Sequence, residues 1–140
     1  MKKQIVVAAS GYFDPLHIGH IEYLNMAKAL GDKLIVIVNN DNQAKLKKGH
    51  SFMPEKERVK IMESLKSVDE VFLSIDNDMT VCKSLEKIKP DIFAKGGDRF
   101  SNEIPESKVC KKNNIKIIDG LGKKIQSSSW LINKSEKLSK

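Results

Sequence analysis

The sequence predicts one α/β domain with a Rossmann-like five-stranded parallel sheet, in the strand order 3-2-1-4-5 and with helices on both faces. Three observations lead to this fold class. The apolar runs IVVAA and LIVIV are continuous rather than alternating, as in strands buried on both faces. Strand-like segments alternate with helical patterns, which is typical of right-handed βαβ units. A length of 140 residues fits one domain.

Each element is bounded by its own signals. The predicted strands are residues 4–9, 33–39, 70–74, 91–94 and 116–118, and the predicted helices are residues 19–30, 54–67, 79–88 and 105–112. Gly31 follows the first helix, Pro54 starts the second and Pro90 separates the third from the fourth strand. A last helix is expected to begin within Ser127–Ser129. We expect residues 1–132 to form the domain and residues 133–140 a Lys/Ser-rich tail.

Composition narrows the class of protein. Apolar residues make up 40% of the chain and charged residues 31%, an ordinary globular balance. No apolar run approaches the ~18 residues that a membrane helix needs, so no membrane partner is expected. Cys82 and Cys110 lack a CxxC partner or a nearby histidine. They are predicted to be reduced thiols of a cytoplasmic protein rather than metal ligands.

The net charge of +7 is unevenly placed. Residues 1–107 hold 16 basic and 16 acidic side chains, whereas residues 108–140 hold nine lysines and only two acidic residues. One interpretation is a nucleic-acid-binding arm. That segment has a single aromatic residue, Trp130, and no arginine, so it offers neither a stacking platform nor a bidentate base reader. We therefore expect a solvated helix face with a few lysines serving phosphate, and no nucleic-acid partner.

The segment GYFDPLHIGH, residues 11–20, follows the first strand and opens the first helix. It holds two of the three histidines, His17 and His20, three positions apart. A helix N-terminus attracts anions, and two imidazoles there can donate hydrogen bonds to phosphate oxygens. Gly19 lets a ligand approach the backbone. The alternative is a helix start with two incidental histidines.

Further along the chain, Lys45, Lys47 and Lys48 are predicted to lie in a basic loop after the second strand, either solvated or facing phosphate. Arg58 lies on the helix predicted for residues 54–67 and offers a bidentate fork for phosphate. Its alternative is a surface ion pair with a neighbouring glutamate.

Two further segments are candidates for holding a ligand, and the first follows the fourth strand, at the edge where ligands bind in open parallel sheets. Residues 95–99 (KGGDR) directly follow the fourth strand, and their two glycines let backbone N–H groups face a ligand. Ser127–Ser129 suit a helix start, where hydroxyls and free N–H groups favour a polyphosphate. The alternatives are a simple loop and a serine-rich turn.

GYFDPLHIGH resembles the GxFDxxHxGH signature of the cytidylyltransferase-like nucleotidyltransferases. The resemblance continues to about residue 132. PEKERVKIMESLKSVDEV (54–71) is similar to the family's arginine-bearing helix and VDEV, KPDIFAKGGDR (89–99) to its GGD loop, and KIQSSSW (124–130) to its ISTT-type helix start. Gly122 stands where cytidylyltransferases carry an arginine, and either Lys123 or Lys124 is the expected substitute.

The resemblance implies an enzyme that moves CMP or AMP from a nucleoside triphosphate to a small phosphorylated acceptor, such as glycerol 3-phosphate or a sugar phosphate, with release of pyrophosphate. Mg²⁺ is the implied cofactor and a homodimer the implied assembly. We expect CTP in preference to ATP, because the signature is most widely seen in cytidylyltransferases. The alternatives are a heptose-phosphate-type adenylyltransferase using ATP and a nucleotide-binding module without turnover.

The resemblance also implies a set of site residues. The catalytic ones are His17, His20, Lys47 and Arg58. The nucleotide-binding ones are Gly11, Tyr12, Phe13, Asp14, Gly19, Lys48, Gly96, Gly97, Asp98, Arg99, Gln126, Ser127, Ser128 and Ser129. Asp14 is also the candidate metal ligand, and otherwise a turn or N-cap carboxylate.

Overall fold

The structure, a computed structural model, describes residues 4–14, 16–96 and 105–121. It contains one sheet of five parallel strands in the order β3-β2-β1-β4-β5. The strands are β1 Val6–Gly11, β2 Lys33–Val38, β3 Glu70–Leu73, β4 Ile92–Gly96 and β5 Lys116–Leu121. The predicted strand order and the central position of the first strand are confirmed.

Five helices lie within the described residues. They are α1 Ile18–Lys28, α2 Asp41–Lys48, α3 Glu55–Glu63, α4 Cys82–Ile88 and α5 Ser107–Lys112. None of these helices has the length and apolarity to cross a bilayer. The predicted helices around α1, α3, α4 and α5 are all present, but they are shorter than the sequence pattern indicated.

The two faces of the sheet carry separate cores because successive side chains of a strand point to opposite faces. Val7 of β1 packs in a cluster that includes Leu24 of α1 and Met62 of α3. Its neighbour Ala8 packs in a second cluster with Leu85 of α4 and with residues of α5. Full burial of aliphatic side chains such as these stabilises the fold by roughly 1.5–3 kcal/mol each. The prediction of helices on both faces is confirmed.

The segment around Lys45, Lys47 and Lys48 is a helix, so the prediction of a loop there was wrong. Asn40 is the N-cap of α2. Its side chain accepts from the Gln43 backbone N–H, and the Gln43 side chain accepts from the Asn40 backbone N–H. This capping box satisfies N–H groups that lack helical partners. The helix has no apolar stripe, and Gln43 is held by tertiary bonds to the carbonyls of residues 78 and 80. The sequence therefore carried no periodic signal for it.

Parallel strands bring the ends of β1, β2 and β4 to the same edge of the sheet. β1 and β4 both end in glycine, at Gly11 and Gly96, beyond the predicted ends at residues 9 and 94. Strand order reverses between β1 and β4, and ligands bind at such a switch point in open α/β sheets. The loops that follow these strands carry the residues described next.

Candidate active site

The loop after β1 turns sharply because Gly11 has no side chain. A Cβ at this position would lie 2.7 Å from Cζ of Phe13, whose ring folds back over the strand end. Phe13 has a φ of 50° and is 2% exposed. Its ring meets His20 edge-on, with the ring centroids 5.0 Å apart. Gly11 and Phe13 thus set the path of the segment that carries the histidine pair.

The side chains of His17 and His20 together cap the start of α1. Nδ1 of His17, the N-cap residue, accepts from the Gly19 backbone N–H at 3.1 Å. Nδ1 of His20 accepts from the backbone N–H of His17, also at 3.1 Å. Because both Nδ1 atoms act as acceptors, the proton of each neutral ring lies on Nε2. Each ring therefore offers an Nε2–H donor, and both residues line the central cavity.

The two rings are stacked, with centroids 3.9 Å apart. Desolvation by burial, and secondly the charge of a protonated His17, lower the pKa of His20 to about 4. His20 is thus neutral at physiological pH. A neutral imidazole with a fixed tautomer is a hydrogen-bond donor that is already oriented for a phosphate oxygen.

Arg58 is fully buried and connects three loops. Its Nη1 donates to the carbonyl oxygens of Tyr12, at 2.9 Å, and Asn39, at 2.5 Å, while Nε donates to that of Met53 at 2.9 Å. Nη2 pairs with the carboxylate of Asp41 at 2.7 Å. These contacts correct both predictions for Arg58. Its fork is occupied by protein carbonyls rather than open to phosphate. Its ion pair is made with Asp41 of α2, whose side chain is 33% exposed while that of Arg58 is fully buried.

Asp14, predicted as a metal ligand or turn carboxylate, binds a neighbouring loop. Its two carboxylate oxygens accept from the backbone N–H groups of Phe52 and Met53, at 2.7 and 2.5 Å. The side chain is 8% exposed, and amide donors stabilise a carboxylate at such a position. Asp14 thus joins the β1–α1 loop to the residues before α3. The described residues contain no group of three or more His, Cys, Asp or Glu side chains placed to hold a metal ion.

Lys47 projects from α2 over the ring of Tyr12, with Nζ 4.4 Å from the ring centroid. A cation over an aromatic face is held by the ring quadrupole. Both residues line the cavity, so the cation lies at its wall. Lys48 ends the same helix, and its side chain is outside the described part of the structure.

The cavity has a volume of about 1050 Å³ and lies at the ends of β1, β2 and β4. This volume is large enough for a nucleotide and a second small molecule. The predicted site residues along its wall are Gly11, Tyr12, Phe13, Asp14, His17, His20, Lys47 and Gly96. Gly19 is buried in the first turn of α1. Gly97, Asp98, Arg99, Gln126 and Ser127–Ser129 lie outside the described residues, as do Lys123 and Lys124.

Eleven residues of the wall were not named as site residues from the sequence, among them Asn39, Leu46, Met79 and Glu106. Asn39 had a usable signal, because it follows an apolar strand at the edge where the other loops meet. Leu46, Met79 and Glu106 had none. They reach the cavity through α2, the segment before α4 and the segment before α5. Lys95 also lines the wall, as the first residue of the loop 95–99 that the sequence singled out.

Comparison with known proteins identifies the family of this chain. Residues 8–133 match the sequence profile of the cytidylyltransferase-like family. An FAD synthase from Ferroglobus placidus is 42% identical over 116 residues, which span 83% of this chain and 72% of the relative. The bifunctional protein HldE from Helicobacter pylori is 38% identical over 115 residues, which span 81% of this chain but only 24% of the relative.

A solved structure is also similar to this chain. The lipopolysaccharide core biosynthesis protein from Thermoplasma volcanium superposes with a TM-score of 0.71 and 35% identity, covering 84% of this chain and 96% of that one. The profile match spans most of β1, the histidine pair and every other described element. The chain therefore belongs to the cytidylyltransferase-like family and is a nucleotidyltransferase.

Proposed function

We propose that this enzyme transfers AMP from ATP to FMN, forming FAD and pyrophosphate. The observation that carries the proposal is the similarity to FAD synthases, which extends over most of the length of both chains. FAD consists of AMP joined to FMN through a pyrophosphate bond, so its synthesis by a nucleotidyltransferase requires adenylyl transfer. ATP therefore replaces CTP as the first candidate nucleotide.

The cavity wall supports a large, partly apolar acceptor. Leu46 and Met79 both line the cavity, yet their side chains are 58% and 57% exposed. Exposed apolar side chains in a concave site are typical of places where an apolar ligand surface is covered. The ring system of FMN provides such a surface, whereas a sugar phosphate or glycerol 3-phosphate does not.

The histidine pair and Lys47 supply what the chemistry needs. An oxygen of the FMN phosphate attacks the α-phosphorus of ATP, a new P–O bond forms, and the bond to the β,γ-pyrophosphate breaks. The attacking phosphate is already anionic at neutral pH, so no general base is required. The Nε2–H donors of His17 and His20 stabilise negative charge on the α-phosphate, and the ammonium group of Lys47 balances charge on the phosphates nearby.

Mg²⁺ is the proposed cofactor, carried by the triphosphate. The described residues offer few protein ligands for Mg²⁺. Both oxygens of Asp14 accept backbone N–H bonds, and no cluster of metal-ligating side chains is present among these residues. Mg²⁺ keeps most of its ligands as water and phosphate oxygen in nucleotide sites. We therefore assign no step to a protein-bound metal.

The remaining predictions stay proposals. Residues 96–99 and Gln126–Ser129 are proposed to hold the nucleotide, the serines at its β- and γ-phosphates. A homodimer is proposed from the family, and a cytoplasmic location from the two free cysteines, Cys82 and Cys110.

A second candidate acceptor is a heptose phosphate. The similarity to HldE and to the lipopolysaccharide core biosynthesis protein favours it. Both candidates share ATP and the histidine pair, so only the acceptor separates them.

The test is pyrophosphate release by the purified protein with Mg²⁺, in a panel of ATP or CTP with FMN, heptose 1-phosphate or glycerol 3-phosphate. We expect turnover with ATP and FMN, and FAD as the second product. Calorimetric titration of ATP and CTP gives the nucleotide preference separately. Turnover with heptose 1-phosphate alone selects the second candidate. Tight nucleotide binding without pyrophosphate release in any combination identifies a binding module instead.

A further inference from the structure

Among the residues that the structure describes, two polar atoms in the cavity wall are buried without a hydrogen-bond partner: Nδ2 of Asn39 and the hydroxyl oxygen of Tyr12. Asn39 is 3% exposed. A buried polar group without a partner costs free energy, so native proteins rarely leave one unless a ligand or water completes it. Both residues line the cavity in which the nucleotidyl transfer is proposed.

The backbone of Asn39 is firmly held although its side-chain nitrogen is not. Its N–H donates to the carbonyl of Gly11 at 2.9 Å, and its own carbonyl accepts from Nη1 of Arg58 at 2.5 Å. The same Nη1 atom binds the carbonyl of Tyr12 at 2.9 Å. One buried guanidinium nitrogen therefore fixes the positions of both residues side by side. A group held this way is oriented before the ligand arrives.

The chemistry of the two atoms limits what they can bind. The Asn39 nitrogen can only donate, while the Tyr12 hydroxyl can donate and accept. Burial, and secondly the carboxylate of Glu106, raise the pKa of Tyr12, so its phenol stays protonated. The carboxylate of Glu106 acts on the phenol from one side and the ammonium group of Lys47 lies over its ring, so opposite charges offset each other there and favour a neutral partner. A neutral hydroxyl, which both accepts and donates, satisfies both atoms.

We infer that Asn39 and Tyr12 bind a hydroxyl group of the acceptor, outside its phosphate, so that the acceptor is a phosphorylated polyol. This inference rests on the proposed function. The ribityl chain of FMN and the ring of a sugar phosphate share this chemistry. In either case the pair sets specificity for the acceptor and not for the nucleotide.

The test uses Asn39→Leu and Tyr12→Phe, which remove the polar atoms and keep the shapes. Steady-state kinetics are measured with ATP and each of two acceptors, FMN and heptose 1-phosphate, so that the acceptor affected identifies the source of the hydroxyl. We expect each variant to lower kcat/KM for the acceptor that the wild type uses by roughly tenfold, the size of one lost ligand hydrogen bond. The KM for ATP should not change. Asn42→Leu, the same substitution at an exposed position of α2, should leave all parameters unchanged.

Thermal stability separates a ligand role from a structural one. Among the described residues, Nδ2 of Asn39 and the Tyr12 hydroxyl make no hydrogen bond that the variants could remove, so we expect neither variant to lower the Tm. Tyr23→Phe provides the contrast, because its hydroxyl donates to the Ala94 carbonyl at 2.5 Å and its loss should lower the Tm. Unchanged acceptor kinetics in both variants, an equal rise in the KM for ATP, or a lowered Tm in both would overturn the inference.

The proposed function fails separately, if the wild type releases no pyrophosphate with any acceptor. Calorimetric titration of FMN and heptose 1-phosphate without ATP then tests the same contact without turnover. Weaker binding of one of them by Asn39→Leu and Tyr12→Phe supports the inference, and unchanged or absent binding overturns it.

Discussion

Nδ1 of His20 accepts the backbone N–H of His17 at 3.1 Å, so the second histidine of the signature caps the residue that carries the first. The spacing of three positions is the spacing of a capping box, in which the N-cap and N3 residues bond reciprocally. The same bonds leave the proton of each ring on Nε2. The motif thus builds the helix start and presents two donors at once.

This double role makes a prediction for substitutions of His17. His17→Ala should lower kcat by roughly 10²–10³-fold, the effect of losing one oriented charge-stabilising donor. It should also destabilise the fold by about 1 kcal/mol through loss of the cap. His17→Asn restores a capping side chain and should recover the stability but not the turnover. Stopped-time assays and urea denaturation measure the two effects, with the exposed His50→Ala as control. Near-normal turnover in His17→Asn would remove the imidazole from the mechanism.

Acid should destabilise the protein through His20. Its pKa in the folded state is about 4, below the ordinary value of 6.5, because burial and then His17 disfavour the charged ring. Between these two values the unfolded chain binds a proton that the folded chain does not. Stability is therefore complete above about 6.5 and declines as the pH falls towards 4.

The measurement is urea denaturation across that pH range, together with an NMR titration of the imidazole signals. In His20→Asn the decline should be shallower, since this proton uptake is gone. In His17→Asn the midpoint of His20 should rise only in part, because burial is the larger cause. A His20 midpoint near 6.5 in the wild type would contradict the partly buried, neutral ring.

The strands, the helices that alternate with them and the histidine pair could be predicted because they depend on local signals: continuous apolar runs, helix punctuation and a dense motif. The role of Arg58 depends instead on contacts with residues that are distant in the sequence. Its partners Tyr12, Asn39 and Asp41 lie 46, 19 and 17 positions away. Of the two neighbouring glutamates that the sequence offered as partners, Glu55 and Glu57, Glu55 instead accepts from the backbone N–H of Asp41. No periodicity reports such contacts, and α2 was missed for the same reason.

Arg58→Met should strongly destabilise the fold. It leaves three carbonyl oxygens without a donor, each worth about 1–3 kcal/mol when buried, so we expect a loss of at least about 3 kcal/mol in the free energy of unfolding. Chemical denaturation measures this loss. Lys60→Met, on the exposed side of the same helix, should change it by no more than about 0.5 kcal/mol. A stable Arg58→Met protein that is inactive would restore the phosphate-binding role predicted from sequence.

Gly11→Ala tests whether the turn at the end of β1 depends on the missing side chain. The added methyl group would meet the Phe13 ring at 2.7 Å, closer than carbon atoms approach in folded proteins. Phe13 cannot swing away easily, because it is 2% exposed and packed against His20. We therefore expect a loss of about 1–3 kcal/mol from overpacking, together with a fall in kcat as the histidine pair is displaced.

Gly49→Ala separates this clash from backbone strain. Gly49 has a φ of 84° but no atom within 4 Å of an added Cβ, so its substitution meets open space. We expect about 1–2 kcal/mol of destabilisation from the left-handed backbone alone and an unchanged kcat. Urea denaturation and pyrophosphate release are measured on both variants. If Gly11→Ala lost stability but kept full turnover, the position of Phe13 would not be coupled to the histidines. If both variants lost turnover alike, the effect would come from general destabilisation and not from the contact between Gly11 and Phe13.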